Sequence, residues 1–197
     1  MALKIIKKSE PIKVNNLITV IYGQPGIGKT TLAFSSKNPL TLDFDLGIQR
    51  AKNRKDAITL NSWVDVMNIT QEDAADYDTI VIDTVGRMLE VLAQYIMKTQ
   101  PKTGYGGNLS LQGYGVLKSN FSAFIAKLRS FNKDIVIIAH GKEDKNGDQS
   151  IVRPEAVGSA KDLILQIGDL MGYVFIENNK RVIDFNSTDS YLGKNSP

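Results

Sequence analysis

The sequence predicts an α/β fold: a mostly parallel central sheet flanked by helices, with a C-terminal β-hairpin. Three observations predict it. Short, nearly continuous apolar runs at 17–22, 40–44, 79–82 and 135–139 suit strands covered on both faces, whereas half-exposed antiparallel strands would alternate apolar and polar residues. Helical patterns lie between those runs. Two further strand-like runs, 173–177 and 182–185, are joined by Asn178-Asn179-Lys180-Arg181, a hairpin signal.

Helices are expected over 30–36, 87–99, 115–131 and 162–167. In the third, Val116, Leu117, Phe121, Phe124, Ile125, Leu128 and Phe131 recur at steps of three and four, which gives one apolar face. Lys118, Lys127 and Arg129 lie off that stripe and read as a solvated basic face. The glycine-bearing stretches 99–115 and 141–158 read as mobile loops, a length at which loops are disproportionately functional. The polar tail 186–197 is expected to fray. No internal repeat or linker divides the chain, so one domain over 1–197 is expected, with its core at about 16–185.

Composition excludes several classes. No apolar run approaches the roughly 20 residues that cross a bilayer, so no membrane partner is expected. Residues 1–8 are basic but lack the apolar core of a secretory signal. The chain has no cysteine, so neither a disulfide framework nor a thiolate metal site can form, in keeping with a cytoplasmic location. A single histidine, His140, argues against a histidine-based zinc site. A net charge of +3 permits contact with a polyanion and falls short of a dedicated nucleic-acid patch.

The chemistry centres on Gly23-Gln24-Pro25-Gly26-Ile27-Gly28-Lys29-Thr30, a complete G-x-x-x-x-G-K-[ST] loop between a strand and a helix. Glycines let backbone N–H groups curl around phosphate oxygens, and the following helix start adds partial positive charge. Lys29 is expected to reach the β and γ phosphates, Thr30 to offer its hydroxyl to Mg²⁺, and Thr31 to donate to the α phosphate. ATP and Mg²⁺ are the expected cofactors.

Such a site needs an acidic residue at the end of an apolar strand to hold the metal, and Thr79-Ile80-Val81-Ile82-Asp83 supplies Asp83. It also needs a group to orient an attacking water. Asp43 and Asp45 sit in Leu42-Asp43-Phe44-Asp45-Leu46-Gly47; on the expectation that they diverge at the strand end, Asp45 is assigned to the site. His140 closes Ile135-Val136-Ile137-Ile138-Ala139, where a polar residue can touch the γ phosphate and report its loss.

This order of elements resembles the RecA-like core over about 16–185. The runs Tyr77-Asp78-Thr79-Ile80-Val81-Ile82-Asp83-Thr84 and Ile137-Ile138-Ala139-His140-Gly141-Lys142 look like those of short phage AAA-type ATPases of the single-strand annealing group. The resemblance implies an ATPase acting on single-stranded DNA in recombination or replication, in the host cytoplasm if phage-encoded. It also implies self-assembly and a single-strand-binding protein as a further partner. RecA-like proteins usually carry glutamate where Asp45 stands, so slow hydrolysis is implied.

By the same resemblance, the stretches 99–115 and 142–161 correspond to the loops that face DNA. Lys102, Tyr105 and Tyr114 in the first, with Lys142, Lys145, Arg153 and Lys161 in the second, offer charge and stacking surfaces. Lys142 is also a candidate to complete a neighbour's site.

Three rival readings stay open. Asp83-Thr84-Val85-Gly86 reads D-x-x-G like a GTPase, but Asn132-Lys133-Asp134 has the wrong spacing for guanine recognition. A small-molecule or nucleotide kinase would use the same loop, although Arg50, Arg54 and Arg153 are scattered rather than gathered in a lid. A non-hydrolysing, ATP-gated DNA-binding or loader protein would tolerate the short Asp45.

Overall fold

The computed structural model describes residues 16–51, 53–146, 149–158 and 160–196; the basic segment 1–8 lies outside them, as does the end of the tail at Pro197. In chain order the elements are β1 (Ile18–Gly23), α1 (Lys29–Ala33), β2 (Pro39–Asp43), β3 (Ala57–Thr59), α2 (Trp63–Asn68), β4 (Thr79–Asp83) and α3 (Val85–Thr99). There follow β5 (Gly104–Tyr105), β6 (Asn108–Leu109), α4 (Leu111–Ser130), β7 (Asp134–Asn146) and β8 (Gln149–Pro154). The chain closes with α5 (Ala160–Ile167), β9 (Leu170–Glu177), β10 (Lys180–Asp184) and β11 (Lys194–Asn195).

Among the described residues one sheet runs in the order β10-β9-β1-β7-β4-β2-β3, with β11 added on β9 and β8 on β7. From β9 to β3 every neighbouring pair is parallel; β10 and β11 pair antiparallel with β9. The continuous apolar runs have the expected physical cause. In β7, Ile135, Ile137 and Ala139 enter the larger core while Val136 and Ile138 enter a smaller one on the opposite face. In β4, Ile80 and Ile82 face the first and Val81 the second. Alternate side chains point to opposite faces, so a strand covered on both sides must be apolar at every position.

The larger core lies under α2, α3, α4 and α5. Helix α3 buries Val85, Met88, Leu89, Leu92 and Ile96 along one stripe, and α4 buries Leu117, Phe121, Phe124, Ile125 and Leu128. Trp63 of α2 meets Phe124 edge-on with ring centroids 5.6 Å apart. The basic residues off the stripe of α4 are not all free in solvent. Lys127 Nζ donates to Met67 O and Arg129 Nη2 to Ile167 O, tying α4 to its neighbours.

Several expectations are corrected. Helix α4 begins at Leu111 rather than 115, because Ser110 caps it by accepting from Gly113 N at 3.2 Å. This tolerates two glycines in the first turns. The stretch 141–158 is not a loop: β7 continues past Ala139 and pairs with β8 from Gly141↔Pro154 outward. The short hairpin β5–β6 also structures part of 99–115. The tail is docked, not frayed. Tyr191 lies 4.7 Å centroid to centroid from Tyr173, β11 pairs with β9, and the buried Tyr22 hydroxyl bonds the Leu192 backbone. The C-terminal hairpin is as expected, with Asn178 and Asn179 alone forming the turn at φ 49° and 60°. Among the described residues no helix is long and apolar enough to cross a membrane.

Candidate functional site

Because the central strands are parallel, their ends collect at one edge of the sheet. Gly23 registers with His140, and Asp43 with Asp83. The chain leaves β1 toward β2 on one side and leaves β7 toward β9 on the other. A crevice therefore opens at the β1/β7 boundary, where open α/β sheets bind their ligands.

The phosphate loop occupies that edge. At Gly23 a Cβ would come within 2.4 Å of Val174 O, so only glycine allows the loop to depart this close to β9. Gly26 and Gly28 have φ of 74° and 101°, the left-handed region that side chains resist. Among the described residues, none of the backbone N–H groups of Gly26, Ile27, Gly28, Lys29, Thr30 and Thr31 donates a hydrogen bond, so a run of donors remains for an anion.

Lys29 is only 6% exposed, and its Nζ donates to Gly23 O at 2.9 Å and Gln24 O at 2.8 Å. Burial pulls its pKa below the usual lysine value, opposed by the nearby charges of Asp83 and Asp45. Thr30 Oγ1 donates to Asp83 Oδ2 at 2.8 Å. Burial pushes the Asp83 carboxyl up, against the pull of the Thr30 hydroxyl. A hydroxyl and a carboxylate side by side are hard oxygen donors suited to Mg²⁺ held partly by phosphate. The open N–H groups, the lysine and this oxygen pair together fit a magnesium-bound nucleotide.

The expectation that Asp43 and Asp45 diverge by strand alternation does not hold, since residues two apart share a face. What separates them is the turn after β2. Asp43 is buried and accepts from Gly47 N and Ile48 N, both at 3.2 Å, so its carboxylate serves the turn. Asp45 is exposed and lines the crevice, and its own N–H donates to Asp83 O at 3.3 Å. His140 also lines the crevice; its Nδ1 is buried with no hydrogen-bond partner among the described residues.

The nucleotide-sized crevice, about 440 Å³, is bounded by the phosphate loop, Asp83 and His140. Beyond a wall formed by Asp45, Thr84 and His140 lies a second cleft of about 420 Å³. Its far side carries Arg87, Glu90, Tyr114 and Glu155. Arg87, Glu90 and Glu155 had no assignment from sequence. Arg87 and Glu90 read as the solvated face of an amphipathic helix and Glu155 as one polar residue among apolar ones, with no motif to flag them.

The residues expected to meet DNA are distributed unevenly. Lys102 and Tyr105 are exposed near the β5–β6 hairpin, with Tyr105 88% exposed. Tyr114 belongs to α4, not to a loop, and packs so closely on Gly158 that a Cβ there would lie 2.6 Å from its ring. Lys142 pairs with Glu155 at 3.9 Å, while Arg153 and Lys161 both approach Asp144. Lys145 is exposed on β7.

The family model described as an AAA domain matches residues 15–196. No curated protein matches the chain. The loop at Gly23, the Thr30–Asp83 pair and a match over nearly the whole length lead to one assignment: the chain belongs to the AAA domain family of nucleotide-binding P-loop ATPases.

Proposed function

We propose that this protein is a RecA-like Mg-ATPase that acts on single-stranded DNA in phage-type recombination, by annealing or strand pairing, or in replication. The observation that supports it is the wall shared by two clefts. Asp45, Thr84 and His140 line both the nucleotide crevice and the second cleft, whose far side is built from α3, α4, the outer part of β7 and the segment after β8. Of the residues expected to meet DNA, Tyr114 and Lys142 line that cleft, and Arg153 stands behind it on β8, beside Asp144. A nucleotide-dependent change at His140 would pass directly into the β7–β8 hairpin, because His140 O accepts from Glu155 N at 2.7 Å.

In this reading the loop amides and Lys29 hold the phosphates, while Thr30 and Asp83 hold Mg²⁺. Bound Mg²⁺ supplies neutralisation of charge on the phosphate oxygens. Asp45 orients the attacking water and accepts its proton, a shorter reach than glutamate would have, and turnover is slow. His140 contacts the terminal phosphate through the crevice it lines. The protein works as a homo-oligomer, in which Lys142 completes a neighbour's site, and alongside a single-strand-binding protein.

The test is titration of a fluorescent single-stranded oligonucleotide at low salt, with and without ATP. Binding is expected to require ATP and to fall steeply with salt, and a Lys102→Ala/Tyr105→Ala variant to bind at least about tenfold more weakly. No binding at low salt with ATP present would remove DNA from the reading. A kinase reading has one observation in its favour, the 420 Å³ cleft at the far side of the wall, which is large enough for a small phosphoryl acceptor. Phosphate transfer to a metabolite in place of release to water would establish it.

A further inference from the structure

The C-terminal hairpin is longer than the strand it leans on. Strand β9 registers Val174 with Gly23, the last residue of β1, and then runs on to Glu177. Strand β10 returns beside that overhang, pairing Arg181 with Ile176, two residues beyond the end of β1. The overhang therefore stands over the start of the phosphate loop. Arg181 reaches down from it onto Gly28, where a Cβ would sit 3.3 Å from Nε and 3.4 Å from Cδ of the arginine.

Gly28 is thus bare on the side that Arg181 covers. Among the described residues the guanidinium has no carboxylate within ion-pair distance and donates no hydrogen bond. It is also exposed. A permanently charged fork without an acidic partner, held against a loop that presents unpaired N–H groups, is arranged to meet an anion that the loop itself holds.

We infer that Arg181 is a nucleotide-binding residue, contributed by the same chain, which closes the outer rim of the phosphate loop by pairing with the phosphate chain of the bound nucleotide. This rests on the nucleotide-binding reading of the loop. It gives the C-terminal hairpin a part in the site: sheet pairing sets how far the hairpin overhangs, and the overhang sets where the guanidinium lies.

The test compares the parent with Arg181→Met, which keeps the length and apolar stem, and Arg181→Lys, which keeps the charge without the fork. Dissociation constants for ATP, ADP and AMP are read by fluorescence competition, with thermal melting of the nucleotide-free proteins alongside. Arg181→Met is expected to weaken ATP and ADP by about 10- to 100-fold. AMP should change less, the lysine variant should fall between, and the nucleotide-free melting temperature should not move.

Independently, ADP should protect Arg181 of the parent from modification by phenylglyoxal, read by peptide mass. Equal ATP affinity in Arg181→Met and parent, or no protection by ADP, overturns the inference while leaving the loop assignment standing. Failure of the parent to bind any nucleotide overturns both.

Discussion

Thr30 Oγ1 donates to Asp83 Oδ2 across 2.8 Å, so the residue that follows the loop lysine touches the carboxylate that ends β4. The contact spans the two motifs on which the functional reading rests. It also explains why a carboxylate is kept where burial disfavours its charge.

Asp83 carries that cost in the nucleotide-free fold. Burial raises its pKa above the unfolded value, so the fold takes up a proton there more readily than the unfolded chain does. The cost is present in full at neutral pH and is relieved as pH falls through the raised folded value toward the unfolded one. Asp83→Asn keeps an acceptor for Thr30 and removes the buried charge. It is expected to melt higher than the parent at pH 7, at about 2–4 °C for each kcal/mol recovered, while losing the Mg²⁺ dependence of ATP binding. The gap between variant and parent should narrow as pH is lowered. A parent that melts higher than the variant at pH 7 would contradict this.

Lys29 is the second buried charge. Its ammonium already holds the Gly23 and Gln24 carbonyls, so it is pre-set over the loop. Lys29→Met is expected to keep the fold, because the stem fills the same space, and to weaken ATP by at least about 100-fold. Circular dichroism and fluorescence titration check the two halves separately. Unchanged affinity would remove the loop from nucleotide binding.

Much of this site could be read from sequence because its parts are local. The loop glycines, Lys29 and Thr30 are contiguous, and Asp83 and His140 end apolar runs that could only be buried strands. The choice between Asp43 and Asp45 was not legible in the same way. Strand periodicity gives them the same face, and only the turn bonds from Gly47 and Ile48 to Asp43 set Asp45 free. Arg181 was legible only as part of a turn, since its position over Gly28 depends on register across β1, β9 and β10. The β7–β8 hairpin left one trace in the sequence, the dipeptide Gly147-Asp148, of a kind that signals a tight hairpin. Its strands are polar because they project beyond the sheet, which hid them from a search for apolar runs.

Tyr22 tests how firmly the tail is fixed. Its hydroxyl donates to Leu192 O at 2.5 Å and accepts from Leu192 N at 2.9 Å, with Val152 O at 3.2 Å. Burial holds its pKa well above the ordinary tyrosine value, so it stays a neutral donor across the working pH range. Tyr22→Phe takes the donor from Leu192 O, while Leu192 N keeps Val152 O at 3.2 Å, and is expected to cost about 1–3 kcal/mol. It should lower the urea midpoint with the slope unchanged and leave ATP affinity as in the parent. An unaltered midpoint would mean that the tail contributes nothing to stability.

Asp45 and His140 separate binding from turnover. Neither belongs to the phosphate loop, and both line the wall between the crevice and the second cleft. Asp45→Asn keeps the shape and removes the base, so ATP affinity should persist while turnover falls by about 10²-fold or more. His140→Gln offers a polar tip of similar reach and should retain both affinity and a measurable turnover. If the Asp45 carboxylate is the base, adding His140→Gln to Asp45→Asn should lower turnover little further, because the step that His140 would report no longer occurs. The measurement is phosphate release from saturating ATP for the four proteins of that cycle. Turnover in Asp45→Asn equal to that of the parent would assign the water to another group.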